Sequence, residues 1–257
     1  MDETGLLKLT GESSNTNEET RPLEVAIVVP TYNEAETLPV LIAQVRDQNI
    51  EGLGFVIVDD GSPDGTGDIA DAIADEYPGV FIVLHREGKQ GLGSAYRAGF
   101  QTALDAGAER IVEMDADLSH PPEVLNGLIC ELDHAHVAVA SRYVSGGGVD
   151  PDWSWGRQQI SYWGNVGIRM ILGLKVKDAT AGFKGFRRKT LESIGIDRLR
   201  LSGFGFQAEV AYRCQKAGMN VVEHPYVFME RTAGKSKMSL GIVVEAFFQL
   251  SWLRIRG

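Results

Sequence analysis

The chain has 257 residues, 44% of them hydrophobic, so it can form one large domain with a sizeable core. Its net charge of −10 is unevenly divided: residues 1–150 carry 8 Lys and Arg against 27 Asp and Glu, and residues 151–257 carry 17 against 8. The acidic first part argues against non-specific nucleic-acid binding, whereas the basic second part suits phosphates or anionic lipid. Two cysteines exclude a disulfide scaffold, and no segment reads as a signal peptide or membrane span.

The first part of the chain alternates apolar strands with helices. Apolar runs predict strands at residues 25–29 and 55–58, and helical spacing predicts a helix at 36–48 between them. Further strands are predicted in "VFIVLHR", "RIVEMDAD" and "HVAVASRY", with a Gly-opened helix and a helix from about Pro122 between them. This alternation predicts an α/β fold with a mostly parallel central sheet and helices on both faces.

After Tyr143 the pattern changes. A Gly-rich, Trp-bearing loop is predicted in "VSGGGVDPDWSWGR", and helices in "ISYWGNVGIRMILGLK" and "GFGFQAEVAYRCQKAG". Between them "DATAGFKGFRRKTLESI" predicts a loop, a short strand and a helix, and "NVVEHPYVFMER" a final strand. The sequence contains no repeats and no clear linker, which favours a single domain. We predict a disordered tail at 1–22, one domain at 23–238 and a C-terminal amphipathic helix at 239–257.

Acidic residues follow three of the predicted strands: Glu34 the first, Asp59 and Asp60 the second, and Asp115 and Asp117 the fourth. Ligands of parallel α/β sheets bind at the carboxyl ends of the strands, so these side chains are expected to converge. Two carboxylates at i and i+2 suit Mg²⁺ or Mn²⁺, whose coordination is completed by water and substrate phosphates. A helix cap or solvated turn is the alternative for an isolated Asp-x-Asp, and the convergence favours a cation.

Other polar residues have more than one interpretation. His120 follows the acidic pair, but its spacing fits no zinc pattern, so it is expected to orient the loop or line the pocket. "GLGSAYRAG" imitates a dinucleotide-binding loop, yet Tyr96 stands where the third glycine belongs. Basic residues from three loops are candidate phosphate contacts, although each alone is more often a solvated surface residue. They are Arg142, Arg157, Arg231 and Lys237.

The motifs together resemble the dolichol-phosphate (polyprenol-phosphate) mannose synthases, which are GT-A-fold family 2 glycosyltransferases. The resemblance runs from about Val25 to Met238. Its general motifs are "VVPTYNE" and "VIVDDGSPDGT", and its more specific ones are "MDADLSHPPE", "SRYVSGGGV" and "ERTAGKSKM". It implies an enzyme that transfers mannose from GDP-mannose to a polyprenyl or dolichyl phosphate, with inversion at the anomeric carbon.

The resemblance also assigns roles to residues. It implies a nucleoside pocket lined by Pro30, Tyr32, Glu34, Val58 and Asp60. It places Asp115 and Ala116 at the donor, Arg142 near the sugar-phosphate, and Arg231 and Lys237 on the donor's diphosphate. Arg157 would receive the acceptor phosphate. Asp117 would be the main ligand of Mg²⁺ or Mn²⁺. Ser119 is the second predicted metal residue, where some relatives carry Gln as a ligand, and its shorter hydroxyl would reach the cation directly or through a bridging water.

Several alternatives stay open at this stage. A UDP-sugar could replace GDP-mannose, which would make the enzyme a polyprenyl-phosphate glucosyl- or N-acetylglucosaminyltransferase. A non-catalytic nucleotide-sugar-binding protein is a further alternative, against which the intact acidic and basic residues argue. The apolar face of the C-terminal helix suits either a lipid interface or core packing. We expect a peripheral protein on the cytoplasmic face of a membrane, and a separate membrane-protein partner is part of this hypothesis.

Overall fold

The computed structural model describes residues 23–230 and 249–254, without the side chain of Phe204. Its elements, in chain order, are β1 (Val25–Thr31), α1 (Leu38–Arg46), β2 (Leu53–Asp59), α2 (Thr66–Glu76), β3 (Phe81–His85), α3 (Leu92–Asp105), β4 (Arg110–Glu113), α4 (Val124–Glu131), β5 (Val137–Ser141), β6 (Gly148–Val149), α5 (Trp155–Leu172), β7 (Lys184–Arg187), α6 (Arg188–Ile194), a 3₁₀ turn (Ile196–Arg198), α7 (Gly203–Lys216), β8 (Val221–Pro225) and β9 (Val227–Phe228). Seven strands form one sheet in the order β3-β2-β1-β4-β7-β5-β8.

The central strands are covered on both faces, which explains their continuous apolar sequence. Helices α1, α2 and α4 contribute to the hydrophobic core on one face of the sheet, and α3, α6 and α7 to the core on the other. The closest approach is at Gly99 of α3, where an added methyl group would lie 2.3 Å from Cγ1 of Val28. Glycine is therefore required for α3 to pack on the sheet at this depth.

Six of the seven strands run in the same direction, as the sequence predicted. The exception is β7, which pairs antiparallel with both β4 and β5. The ends of β1, β2, β4 and β5 consequently lie along one edge of the sheet, and the acidic residues follow these ends. This placement confirms the predicted α/β architecture and gathers the candidate site at that edge.

The second part of the chain is more ordered than the predicted loop implied. Strand β6 pairs with β9, so the predicted final strand divides between two sheets. Helix α5 begins at Trp155, inside the predicted loop, because the Ser154 hydroxyl caps it by accepting the Arg157 amide. Within 23–230 and 249–254, none of the helices combines the length and the apolar character needed to cross a bilayer.

The domain limits predicted at the two ends of the chain stay largely predictions. Residues 1–22 and 239–248 lie outside the described residues. Residues 249–254 are helical. Within this segment Leu250 and Leu253 pack in an apolar cluster with side chains of α5 and α7. These two leucines therefore pack in the core and do not face lipid, which agrees with the core-packing alternative for this helix.

Candidate active site

The turn after β4 folds back on Asp117. The backbone amide and the hydroxyl of Ser119 both donate to Asp117 Oδ1, at 3.1 and 2.5 Å. This return requires Leu118 to adopt a φ of +62°, a left-handed conformation that is unusual for a bulky residue. Such backbone strain, of order 1–3 kcal/mol, is typical of functional sites. Both Asp117 and Ser119 are buried, so the turn presents its oxygens in a constrained arrangement.

Asp115 is oriented from two directions. The buried Tyr96 hydroxyl donates to Asp115 Oδ1 at 2.7 Å, and the Asp115 amide donates to Nδ1 of His120 at 3.1 Å. Burial and the neighbouring Asp115 carboxylate hold the pKa of Tyr96 well above its usual value, so its proton remains available for this bond. His120 stacks on Phe183, with ring centroids 4.9 Å apart. His120 therefore orients the loop, as its sequence position suggested.

Gly182, which is partly exposed, lies beside Asp115 and His120. A methyl group on Gly182 would lie 3.6 Å from both Asp115 Oδ2 and Cε1 of His120. The carboxylate and hydroxyl oxygens of the turn after β4 are the ligand type that a hard divalent cation prefers, with Asp117 as the residue to hold it and Ser119 beside it. Within the described ranges, no group of three or more His, Cys, Asp or Glu side chains has the arrangement of a metal site.

The loops after β1 and β2 are tied to each other. Asp59 accepts hydrogen bonds from the hydroxyls of Thr31 and Ser62, at 3.0 and 2.5 Å. The Glu34 amide donates to Thr66 Oγ1 at 2.9 Å, which links the first loop to the start of α2. These bonds fix the relative positions of the two loops that carry the predicted nucleoside-binding residues.

The predicted nucleoside-binding residues differ in their exposure. Asp60 forms a largely buried ion pair with Arg86, at 2.8 Å. The ammonium of Lys89 lies 4.0 Å above the half-buried ring of Tyr32, and Pro30 is also half-buried. Val58 is the exception among these residues, because its exposure is 0% and its side chain packs in the core. The prediction that Val58 lines the pocket is therefore corrected: it lies beneath the pocket surface.

Arg142 follows β5 and is fixed by Asp178. Its Nε and Nη2 atoms donate to the two Asp178 oxygens, each at 2.7 Å, and Nη2 also donates to Thr180 at 2.8 Å. Burial alone would lower the pKa of Arg142, but the Asp178 carboxylate outweighs burial and raises it. Burial alone would raise the pKa of Asp178, but the Arg142 guanidinium outweighs burial and lowers it. The site therefore keeps a permanent cation at the end of β5.

Arg157 lies in the first turn of α5 and contacts two side chains. Its guanidinium carbon lies 3.8 Å from the centre of the Trp153 ring. Its Nη1 donates to both oxygens of Glu230, at 2.7 and 2.5 Å. Arg157, predicted to receive the acceptor phosphate, is thus paired with a carboxylate, and both side chains are partly exposed.

A fully buried polar cluster supports the β4 end from below. The Lys184 ammonium of β7 donates to Glu113 Oε1 at 3.2 Å, to the Ala181 carbonyl and to Gln207 Oε1. Burial raises the pKa of Glu113 to about 7 although the Lys184 ammonium and the Gln207 amide oppose the shift. Glu113 lies two residues before Asp115, and Ala181 immediately precedes Gly182. Lys184 therefore joins the segment that carries Asp115 to the segment that carries Gly182.

A family model for glycosyl transferase family 2 matches residues 26–195, more than half of the chain. The chain belongs to glycosyl transferase family 2. An undecaprenyl-phosphate mannosyltransferase of Micrococcus luteus is 45% identical over 224 residues, covering 87% of this chain and 91% of that protein. A polyprenol monophosphomannose synthase of Mycolicibacterium smegmatis is 43% identical over 232 residues, covering 90% and 87%.

Solved structures support the fold of this family 2 member. A mannosyltransferase from Pyrobaculum calidifontis, solved with GDP-Man and Mn²⁺, superposes with a TM-score of 0.61 at 20% identity. The match covers 91% of this chain and 64% of that one. The fold is therefore GT-A, which confirms the predicted fold class.

The GT-A sheet brings most of the predicted site residues to one edge. Several side chains that hydrogen-bond to these residues were not predicted from the sequence. Arg231 and Lys237 lie outside the described residues, so their roles stay predictions. The side chains that fix the predicted residues were not identified, namely Tyr96, Asp178, Lys184 and Glu230. Only Tyr96 could have been noticed in the sequence, because it replaces the third glycine of the loop pattern. In the structure its hydroxyl donates to Asp115.

Proposed function

We propose that this family 2 member transfers mannose from GDP-mannose to the phosphate of a polyprenyl or dolichyl lipid, with inversion at the anomeric carbon. The observation that carries the proposal is a pair of relatives, named as an undecaprenyl-phosphate mannosyltransferase and a polyprenol monophosphomannose synthase, at 43–45% identity over most of both chains. The constrained turn at Asp117 and the oriented Asp115 supply the acidic side of such a site. Arg142 and Arg157 supply its guanidinium groups, which are paired in this structure with Asp178 and Glu230.

The proposed chemistry is a direct displacement. An acceptor phosphate oxygen forms a bond to the anomeric carbon, while the bond from that carbon to the β-phosphate oxygen of GDP-mannose breaks and GDP leaves with the electron pair. A phosphate monoester has its second pKa near 6 and is largely dianionic at neutral pH, so the attack needs no protein base. Asp115 would orient the donor sugar beside Gly182. A Mg²⁺ or Mn²⁺ ion held by Asp117, with Ser119 beside it, would neutralise charge on the leaving diphosphate.

A lipid-extraction assay tests this proposal. The protein is incubated with polyprenyl phosphate, Mg²⁺ or Mn²⁺, and one of three radiolabelled donors: GDP-mannose, UDP-glucose or UDP-N-acetylglucosamine. We expect label in the organic phase from GDP-mannose only. Label from a UDP-sugar alone would establish the alternative transferase. No lipid product from any donor would contradict both and favour a non-catalytic nucleotide-sugar-binding protein.

We further propose that the protein works peripherally at a membrane surface, on the cytoplasmic face where nucleotide sugars are available. Helix α5 supports this proposal, because one of its faces is buried in the core and the opposite face exposes large apolar side chains. They are Trp155, Ile160, Tyr162, Trp163 and Met170. Arg157 lies on the first turn of this helix, so a helix resting on lipid would bring the end that carries Arg157 to the membrane surface. A separate membrane-protein partner stays a prediction.

Vesicle flotation provides the test of the membrane proposal. We expect the wild type to float with vesicles of phosphatidylglycerol and phosphatidylcholine. Trp155→Ser with Trp163→Ser should lower the partition coefficient at least about tenfold, because each large apolar side chain removed from lipid costs on the order of 1.5–3 kcal/mol. Val40→Ser, an exposed apolar residue on α1, is the matched control. Equal flotation of the double variant and the control would contradict a role for α5.

A further inference from the structure

Glu230 occupies the hydrogen-bonding side of Arg157 that an incoming phosphate would need. Both oxygens of the Glu230 carboxylate accept hydrogen bonds from Nη1 of Arg157. The guanidinium plane is meanwhile held against the Trp153 ring. Carboxylates and phosphates bind the same donors of a guanidinium group, so Glu230 and an anionic ligand compete for Arg157.

The backbone that carries this competing carboxylate is fixed by its neighbours. The Glu230 amide donates to Asp150 Oδ2 at 3.0 Å, and the Asp150 amide donates to the Phe228 carbonyl at 2.8 Å. The pairing of β6 with β9 fixes the same two segments. Trp153 is largely buried and packs edge-on against Phe228, with ring centroids 5.4 Å apart. Glu230, Arg157 and Trp153 therefore form one cluster whose backbone is fixed by the β6–β9 pairing.

We propose that Glu230 sets the affinity for the acceptor, because a ligand of Arg157 must first displace this carboxylate. The cost of breaking the pair is the same for every anion that binds the guanidinium, so Glu230 weakens acceptor binding in general and does not select one anion over another. The inference rests on the proposed function, because it takes Arg157 as the receiver of the acceptor phosphate. It adds a carboxylate of the chain itself that competes with the acceptor.

Binding measurements test this competition without requiring turnover. Farnesyl phosphate is the dianionic probe and its methyl ester the monoanionic one, both titrated by calorimetry into the full-length protein. Glu230→Gln keeps the shape of the side chain and removes its charge. We expect this variant to bind farnesyl phosphate about two- to fivefold more tightly, the range of a partly exposed ion pair. The methyl ester should also gain affinity, by a factor no larger than that of farnesyl phosphate.

Two further variants isolate the contact. Asp152→Asn makes the same charge change on an exposed residue of the same segment, whose carboxylate enters none of the described hydrogen bonds or ion pairs, and it should match the wild type. In an Arg157→Ala background, Glu230→Gln should give no gain, because the competition has been removed. Equal affinities for Glu230→Gln and Asp152→Asn would overturn the role of Glu230. Farnesyl phosphate binding unaffected by Arg157→Ala would instead remove the assignment of Arg157, and with it the inference.

Discussion

Asp117→Asn is expected to lower the rate of sugar transfer at least about a thousandfold. A divalent cation stabilises the leaving diphosphate by several kcal/mol, and each 1.36 kcal/mol lost from the transition state is a factor of ten in rate. The variant should still fold, because the asparagine Oδ1 can accept the two hydrogen bonds that Ser119 now donates to Asp117. Initial transfer rates measured over a range of Mn²⁺ concentrations, beside urea unfolding, separate the effect on activity from the effect on stability.

Ser119→Ala is the matched comparison for this prediction. It keeps the Asp117 carboxylate and removes only the hydroxyl that donates to it at 2.5 Å. A loss of about one net hydrogen bond, on the order of 1 kcal/mol, should lower the rate by less than about tenfold and leave the metal requirement in place. Transfer by Asp117→Asn at the rate of the wild type, with the same dependence on Mn²⁺, would contradict the assignment of Asp117 as the metal ligand.

The sequence was sufficient for the parts of the fold that local patterns determine. Strands β1 and β2 are continuous apolar runs because both faces of the sheet are covered, and such runs are readable without a structure. The acids after β1, β2 and β4 could be assigned to one edge because parallel strands end together. Helix α5 begins earlier than the sequence predicts. Gly156 and the preceding glycines favour a loop there, although Ser154 is also a residue type that commonly caps a helix.

The contacts that fix the site depend on long-range pairing, which the sequence did not reveal. Lys184 meets Glu113 across 71 residues, and Arg142 meets Asp178 across 36. Both pairs follow from the insertion of antiparallel β7 between β4 and β5, a topology that no local pattern specifies. A lysine in a short strand reads as a surface residue until the strand is placed in the centre of the sheet. Candidate site residues were therefore predictable, but their supports were not.

Lys184→Met is expected to destabilise the protein by about 3–5 kcal/mol at pH 8.5, where the wild type ionises Glu113 beside Lys184 and the variant must keep a proton on the buried Glu113. The side chains of Lys184 and Glu113 are 1% and 0% exposed, so water cannot replace the missing ammonium. Urea unfolding of the wild type and the variant measures the difference. Destabilisation should also reach the site, because the lost hydrogen bonds include the one to the Ala181 carbonyl beside Gly182.

The pH dependence of that difference provides the sharper test. Burial raises the pKa of Glu113 from 4.5 to about 7, so both proteins keep a proton on Glu113 when folded and lose stability at the same rate as pH rises from 4.5 to 7. Above pH 7 the wild type ionises Glu113 beside Lys184 and this loss stops. The variant lacks the cation that lowers the pKa of Glu113, so it continues to lose about 1.4 kcal/mol per pH unit.

The difference in unfolding free energy between wild type and variant should therefore widen only above about pH 7. It should become independent of pH when both proteins also carry Glu113→Gln. A gap that is the same at pH 6 and pH 8.5 without Glu113→Gln would show that the ammonium of Lys184 does not stabilise the Glu113 carboxylate.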